Sequence, residues 1–174
     1  MADRPGIEVI GVGPGDPRYL TLRGRELIAD AAYVAGFRTV LGTVAEHIRG
    51  ERVELDYRNQ SAGLQFLGER ADAGARCVLC AHGDFNFSGG ELLALAREHC
   101  GPLRLVPGIS SIQIACARAG FAMEETLFIT LHKRADISAD LEELRAAVLA
   151  GRRIHPLGRQ PGDARRPPLG LALA

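Results

Sequence analysis

The run Gly11-Val12-Gly13-Pro14-Gly15-Asp16-Pro17, directly behind the apolar stretch Ile7-Glu8-Val9-Ile10, most constrains what this chain can fold into. An apolar strand that empties into three glycines within five residues brings bare backbone to the edge of a sheet. Glycine reaches φ > 0 and carries no Cβ to hold a ligand away. Turns of this kind at the carboxyl ends of parallel strands are where open α/β sheets bind small molecules. Two later apolar runs end in similar turns, Gly83-Asp84 and Pro107-Gly108-Ile109-Ser110-Ser111. Three such turns in one chain are far more specific than any one of them.

Short apolar runs alternate with helical patterns along most of the chain. Strands are predicted at Ile7–Gly11, Ala32–Gly36, Arg52–Leu55, Arg76–Ala81 and Leu103–Val106. Helices are predicted at Leu20–Ala31, Phe37–Ile48, Ala62–Ala73, Gly90–Glu98 and Ser111–Ala119. This βαβα alternation implies an α/β fold, a parallel sheet with helices on both faces. After Gly120 the pattern restarts with a strand, Leu127–His132, and a helix, Asp140–Ala150, for which Ser138 is the expected N-cap. Leu141, Leu144 and Val148 would share one face of that helix. A further strand begins at Arg153-Ile154.

The pattern then breaks down. Residues 151–174 hold four of the nine prolines and four glycines, too many for element interiors. They carry five arginines against the one acid Asp163, a charge of +4 in a chain whose total is zero. The organisation expected is an N-terminal α/β domain over 1–120, the start of a second, incomplete α/β domain over 121–155, and an aberrant, disordered tail over 156–174.

With 174 residues, a net charge of zero and 47% hydrophobic residues, the composition suits a soluble globular protein. Neutrality argues against nonspecific binding to nucleic acid or to an anionic membrane. No apolar run approaches the length of a membrane span. Met1 to Gly6 carry no apolar secretory segment, so a cytoplasmic protein is expected. Cys77-Val78-Leu79-Cys80 has the C-x-x-C spacing of zinc and redox sites, with His82, His99 and Cys100 near in sequence. It lies in a predicted strand, however, where residues three apart point to opposite faces. The two thiols are read as buried core residues, and no metal site is expected.

Gly11-x-Gly13-x-Gly15-Asp16 invites comparison with the dinucleotide fingerprint G-x-G-x-x-G. Its third position is Asp16, where close helix packing calls for glycine or alanine, and Pro14 removes a backbone N–H. Asp30 precedes the second predicted strand instead of ending it. An NAD- or FAD-dependent oxidoreductase is therefore an alternative, not the leading reading. No G-K-[ST] loop is present, and Gly108-Ile109-Ser110-Ser111 lacks the last glycine of a nucleophile elbow.

Gly11-Val12-Gly13-Pro14-Gly15-Asp16-Pro17 with Tyr19-Leu20-Thr21, then His82-Gly83-Asp84-Phe85-Asn86-Phe87-Ser88-Gly89, then Pro107-Gly108-Ile109-Ser110-Ser111, occur in one order. Together they resemble the tetrapyrrole (corrin/porphyrin) methyltransferases, over residues 7 to about 155. Ser110-Ser111-Ile112-Gln113 and Thr130-Leu131-His132 resemble the precorrin-6Y (cobalt-precorrin-7) C5-methyltransferase branch. Phe85 departs from the pattern, standing where the family has proline.

The resemblance implies S-adenosyl-L-methionine as cofactor, a precorrin-type tetrapyrrole as substrate, methylation at C5 in cobalamin biosynthesis, and a homodimer. By position, Pro14, Gly83, Asp84, Phe87, Ser110, Ser111 and Ile112 would line the cofactor site, which in the family lies between two α/β domains. Asp16 and His132 are candidates to take up the proton released on methyl transfer. Arg18 and Arg134 are candidates to pair with substrate carboxylates. Family members continue beyond the point at which this pattern ends, so normal family sequence is expected to stop near Ile154, as in a truncated or frame-shifted coding sequence. A degenerate, non-catalytic homologue that binds cofactor or tetrapyrrole weakly is the alternative in another functional class.

Overall fold

The computed structural model describes residues 6–131 and 136–157. The chain divides into two compact units, Met1–Ala115 and Cys116–Ala174. The division falls inside one helix, a few residues before the Gly120–Glu124 boundary that the composition suggests.

Unit 1 is a five-stranded parallel sheet in the order β3-β2-β4-β1-β5. Its strands are β1 (Ile7–Gly11), β2 (Tyr33–Phe37), β3 (Glu51–Leu55), β4 (Cys77–Ala81) and β5 (Leu103–Val106). The two central strands are buried almost throughout, and in β4 every residue is buried. That is why they read as near-continuous apolar runs instead of alternating ones.

Helices cover both faces. On one, α1 (Leu22–Asp30) and α2 (Arg38–Thr43) bury Ile28, Val40 and Leu41 against Ile10, Val12, Val34, Val78 and Cys80. On the other, α3 (Gln60–Asp72) and α5 (Gly90–Cys100) bury Leu64, Leu67, Leu93, Ala96 and Cys100 against Ile7, Val9, Leu55, Cys77 and Leu79. Right-handed crossovers require this division. The connections β1–β2 and β2–β3 step one way along the sheet over the first face. The connections β3–β4 and β4–β5 step back over the second. The adjacent strands β1 and β4 therefore send their following loops to opposite faces, which opens a crevice at their carboxyl ends.

The cysteine pair obeys strand alternation. Cys77 belongs to the core under α3 and α5, Cys80 to the core under α1 and α2. Thiols on opposite faces of a sheet cannot share a metal ion. Burial pushes the pKa of Cys77 up to about 11 and that of Cys80 up to about 12.

Unit 2 is a single βαβ unit, in which β6 (Thr126–Thr130) and β7 (Arg153–Leu157) pair in parallel and α7 (Ser138–Leu149) packs against both. Strand β7 starts where the sequence pattern places it. Two expectations fail here. Ser138 is not a cap but the first helical residue, and its N–H and hydroxyl both donate to the Asp136 carboxylate. That places a negative charge by the helix N-terminus, where it is favoured. Val148 is 57% exposed, and Ala147 takes the buried position expected for it. The residue three after Leu144 continues the buried stripe. Pro156 and Leu157, the first two residues of the tail expected over 156–174, instead complete β7, and the rest of that tail lies outside the described residues. No helix among the described residues is long and apolar enough to cross a membrane.

In unit 1 the helix expected over Phe37–Ile48 is interrupted. Helix α2 stops at Thr43, Val44 leaves helical geometry (φ −112°, ψ 14°), and a single 3-10 turn, Ala45–His47, follows. Gly42, Thr43 and Val44 are all weak helix formers.

Leu79→Ala, which empties a fully buried site at the centre of the sheet, is expected to lower unfolding stability by about 2–5 kcal/mol in urea titration. At pH 8 the folded protein should resist alkylation at Cys77 and Cys80, as followed by peptide mass spectrometry, and lose that protection on unfolding.

Candidate functional site

The three glycine turns meet at the carboxyl edge of the sheet, where backbone touches backbone. Gly13 N–H donates to the Gly83 carbonyl at 3.2 Å, and Gly83 N–H donates back to the Gly13 carbonyl at 2.8 Å. The third turn closes on the same spot. A Cβ on Gly108 would lie 2.3 Å from the Gly83 oxygen and 2.4 Å from the Gly11 oxygen. One on Gly11 would lie 2.6 Å from the Gly83 oxygen and 2.7 Å from the Gly108 nitrogen. No residue with a side chain fits at either place. Gly83 also has φ +57°, a left-handed conformation that glycine adopts without strain. The three sequence motifs are thus one structural object.

After β1, Asp16 begins a single 3-10 turn, Pro17–Tyr19, by accepting from Arg18 N–H at 3.0 Å. Thr21 then caps α1, its Oγ1 accepting from Gly24 N–H at 3.1 Å. Gly24 comes so close to β1 that an added Cβ would lie 3.1 Å from Ile10 Cγ2. Helix-to-strand contact, the task of the third glycine in a dinucleotide fingerprint, falls to Gly24 here. Asp16 is therefore free to stand where that glycine would be.

After β4, Asp84 Oδ1 accepts from Asn86 N–H at 2.8 Å and from Asn86 Nδ2 at 2.9 Å, capping α4 (Phe85–Ser88). Phe85 is only 2% exposed and anchors this turn in the core beneath α3 and α5. The second oxygen of Asp84 accepts no hydrogen bond among the described residues. Phe87 is half-buried on the same short helix.

After β5, Ser110 and Gln113 form a reciprocal box at the start of α6 (Ser111–Ala119). Ser110 Oγ accepts from Gln113 N–H at 3.1 Å, and Gln113 Oε1 accepts from Ser110 N–H at 2.7 Å. Among the described residues, the amides of Ser111 and Ile112 are left as unfilled donors of that first turn. A Cβ on Gly83 would stand 3.7 Å from Ser110 Cα and 3.9 Å from Ser111 N, so the side-chain side of Gly83 abuts this terminus. The Ile112 side chain is fully buried, and what it can offer a ligand is its backbone.

Of the residues expected at a cofactor site, Gly83, Asp84, Ser110 and Ser111 share this edge, and Pro14 follows the glycine that pairs with Gly83. Asp16 and Arg18 are engaged with each other. Arg18 Nε donates to both carboxylate oxygens at 3.0 Å and Nη2 to one at 2.6 Å, which holds the guanidinium pKa above its ordinary value. His132 and Arg134 lie outside the described residues.

One side chain at this edge was not among the expected site residues. His82, directly before Gly83, places Nε2 3.0 Å from the Thr39 hydroxyl on α2. The residue is exposed, yet its surroundings exclude enough water to hold the ring pKa below the ordinary value. The contact joins positions 43 apart in sequence, beyond any local pattern. The Ser110–Gln113 box, by contrast, is legible as S-x-x-Q ahead of an apolar run.

Residues 6–158 match the family model for tetrapyrrole (corrin/porphyrin) methylases. The chain belongs to this family. It is similar to the siroheme synthase of Chromobacterium violaceum, at 34% identity over an alignment that covers 81% of this chain and 33% of that protein. The chain spans about a third of the length of the curated relatives it matches. Among solved structures it resembles the uroporphyrin-III C-methyl transferase of Thermus thermophilus complexed with S-adenosylhomocysteine. There the identity is 26% and the TM-score 0.58, over 76% of this chain and 60% of that one. It shares the fold of the precorrin-6Y methylase of Archaeoglobus fulgidus, at 22% identity and TM-score 0.60, over 73% of this chain and 65% of that one.

Gly108→Ala is expected to lower stability by about 1–3 kcal/mol in urea titration, because the new methyl group overlaps two carbonyl oxygens. Gly90→Ala, with nothing within 4 Å of the added Cβ, should cost nothing measurable. A second expectation concerns pH. Unfolded histidine titrates near pH 6.5, and folded His82 titrates below that. Between the two values the unfolded chain binds more protons. The stability due to neutral His82 is therefore complete above pH ~6.5 and is lost as pH falls through the folded pKa. The urea midpoint should drop between pH 7 and pH 5 more for the wild type than for His82→Gln.

Proposed function

We propose that this chain binds S-adenosylmethionine at the glycine-lined edge of unit 1 and transfers its methyl group to a carbon of a tetrapyrrole macrocycle. The observation that carries this reading is the convergence of Gly11, Gly13, Gly83 and Gly108 at the crevice between β1 and β4. Bare backbone there lets a nucleoside lie against peptide groups. The Asp84 carboxylate offers an acceptor for ribose hydroxyls or for the ammonium of the methionine moiety. The Ser111 and Ile112 amides offer donors to adenine nitrogens or the cofactor carboxylate. Pro14, Phe87 and the Ser110 turn complete the wall. Methyl transfer asks little acid–base chemistry of the protein, since the sulfonium is already electrophilic and the macrocycle already nucleophilic. What the protein supplies is alignment and exclusion of water.

The finer reading is methylation at C5 of a precorrin or cobalt-precorrin. Its support is Ser110-Ser111-Ile112-Gln113 and Thr130-Leu131-His132 in sequence. A second reading, methylation of a uroporphyrin-III-type macrocycle, is favoured by the 34% identity to a siroheme synthase. The oxidoreductase alternative loses ground. Asp30 ends α1, ahead of β2, and lies 3.6 Å from Arg76, whereas a ribose-binding acid belongs at the carboxyl end of β2.

Calorimetric titration with S-adenosylhomocysteine is expected to give saturable one-site binding, and NAD none. Binding of NAD alone would sink the reading. Binding of S-adenosylhomocysteine without turnover on either macrocycle would leave the non-catalytic homologue standing. Radiolabelled methyl transfer to precorrin-6-type and uroporphyrin-III-type acceptors separates the two substrate readings.

A further inference from the structure

Methyl transfer leaves a proton to be placed. As the carbon–methyl bond forms, the carbon–sulfur pair returns to sulfur, giving neutral S-adenosylhomocysteine, and the macrocycle carries the positive charge. Neutrality of the macrocycle returns when one proton leaves it. Among the described residues of this edge, Asp16 is held in a bidentate pair with Arg18, and Asp84, whose Oδ1 is bonded to Asn86, is the acceptor assigned above to the cofactor. His82 remains.

We infer that His82 is the proton acceptor of this site, with Thr39 positioning its ring. The inference rests on the methyltransferase reading above. His82 continues β4 by one residue, and the next amide, Gly83 N–H, is locked to Gly13. Its backbone is thereby fixed at the glycine contact. Strand alternation sends its side chain to the α1/α2 face, where Thr39 meets it. In the tautomer whose Nε2–H donates to Thr39 Oγ1, Nδ1 is the basic nitrogen, and no described residue bonds to it. The base takes the macrocycle's proton at Nδ1, becomes imidazolium and releases the proton to water.

The charged groups on the flanking elements are Arg38 on α2, Arg23, Arg25, Glu26 and Asp30 on α1, Asp16 and Arg18 after β1, Asp84 after β4, and Asp56 and Arg58 after β3. None of them contributes to the depressed basicity of the ring, whose cause is the partial exclusion of water by its surroundings. The imidazole is therefore neutral, and able to accept, at neutral pH.

The test is methyl transfer by the full chain from pH 5 to pH 9, with the acceptor that turns over. His82→Gln keeps an amide able to reach Thr39 but cannot titrate. It is expected to lower kcat about 100-fold, to leave KM and S-adenosylhomocysteine affinity unchanged, and to remove the fall in rate at acid pH. Thr39→Val should lower kcat less, and Thr39→Ser should restore it. Wild-type rate and pH profile in a folded His82→Gln, with cofactor binding intact, would overturn the assignment and leave the methyltransferase reading in place. A wild-type chain that binds S-adenosylhomocysteine and transfers no methyl group would overturn both.

Discussion

Three strand ends approach so closely at the carboxyl edge of the sheet that only hydrogen atoms fit between their α-carbons and the facing carbonyls. Gly108 touches the backbone of Gly11 and Gly83 at once, and Gly13 and Gly83 exchange two hydrogen bonds. Much else follows from that contact. It sets the relative heights of β1, β4 and β5, and it fixes where α1, α4 and α6 begin. It also leaves a strip of peptide groups uncovered by side chains. A methyl group at Gly108 would have to push a carbonyl oxygen away, and the registers of two neighbouring strands would move with it.

The contact lies at the crevice because of the strand order. With β4 inserted between β2 and β1, the neighbouring strands β1 and β4 must send their loops to opposite faces of the sheet. Backbone convergence and crevice therefore coincide without further design. Capping keeps the loops from collapsing into the gap. Asp16, Asp84 and Ser110 each satisfy amides of the turn or helix they begin. Each thereby takes a double role, since the residue type that caps a turn is also the type that can meet a ligand.

The sheet was largely legible in the sequence, because burial on both faces writes an apolar run that needs no phase information. Strands β1 and β5 begin and end where expected, and the others shift by a residue or two. Local chemistry with a single meaning was less secure. Ser138 reads as a cap until Asp136, two residues earlier, proves to be the acceptor. Val148 reads as core until α7 turns Ala147 inward instead. The three site motifs were legible as motifs, but their meeting at one point depends on strand order, which no local window contains.

The same distinction explains why His82 is not legible as a site residue in the sequence. In sequence it is a histidine near a C-x-x-C pair, and the metal reading dissolves once Cys77 and Cys80 face opposite cores. What the fold does with it depends on Thr39, which is placed by β2, the strand that the crossover lays next to β4. Phe85 acts on the same turn from the other face. Phe85 drives a ring into the core under α3 and α5, so the turn is pinned by packing below and by the Gly13–Gly83 bonds beside it. A turn held from two sides gives His82 a fixed backbone. A fixed backbone with one hydrogen bond to its ring is the minimum a positioned base requires.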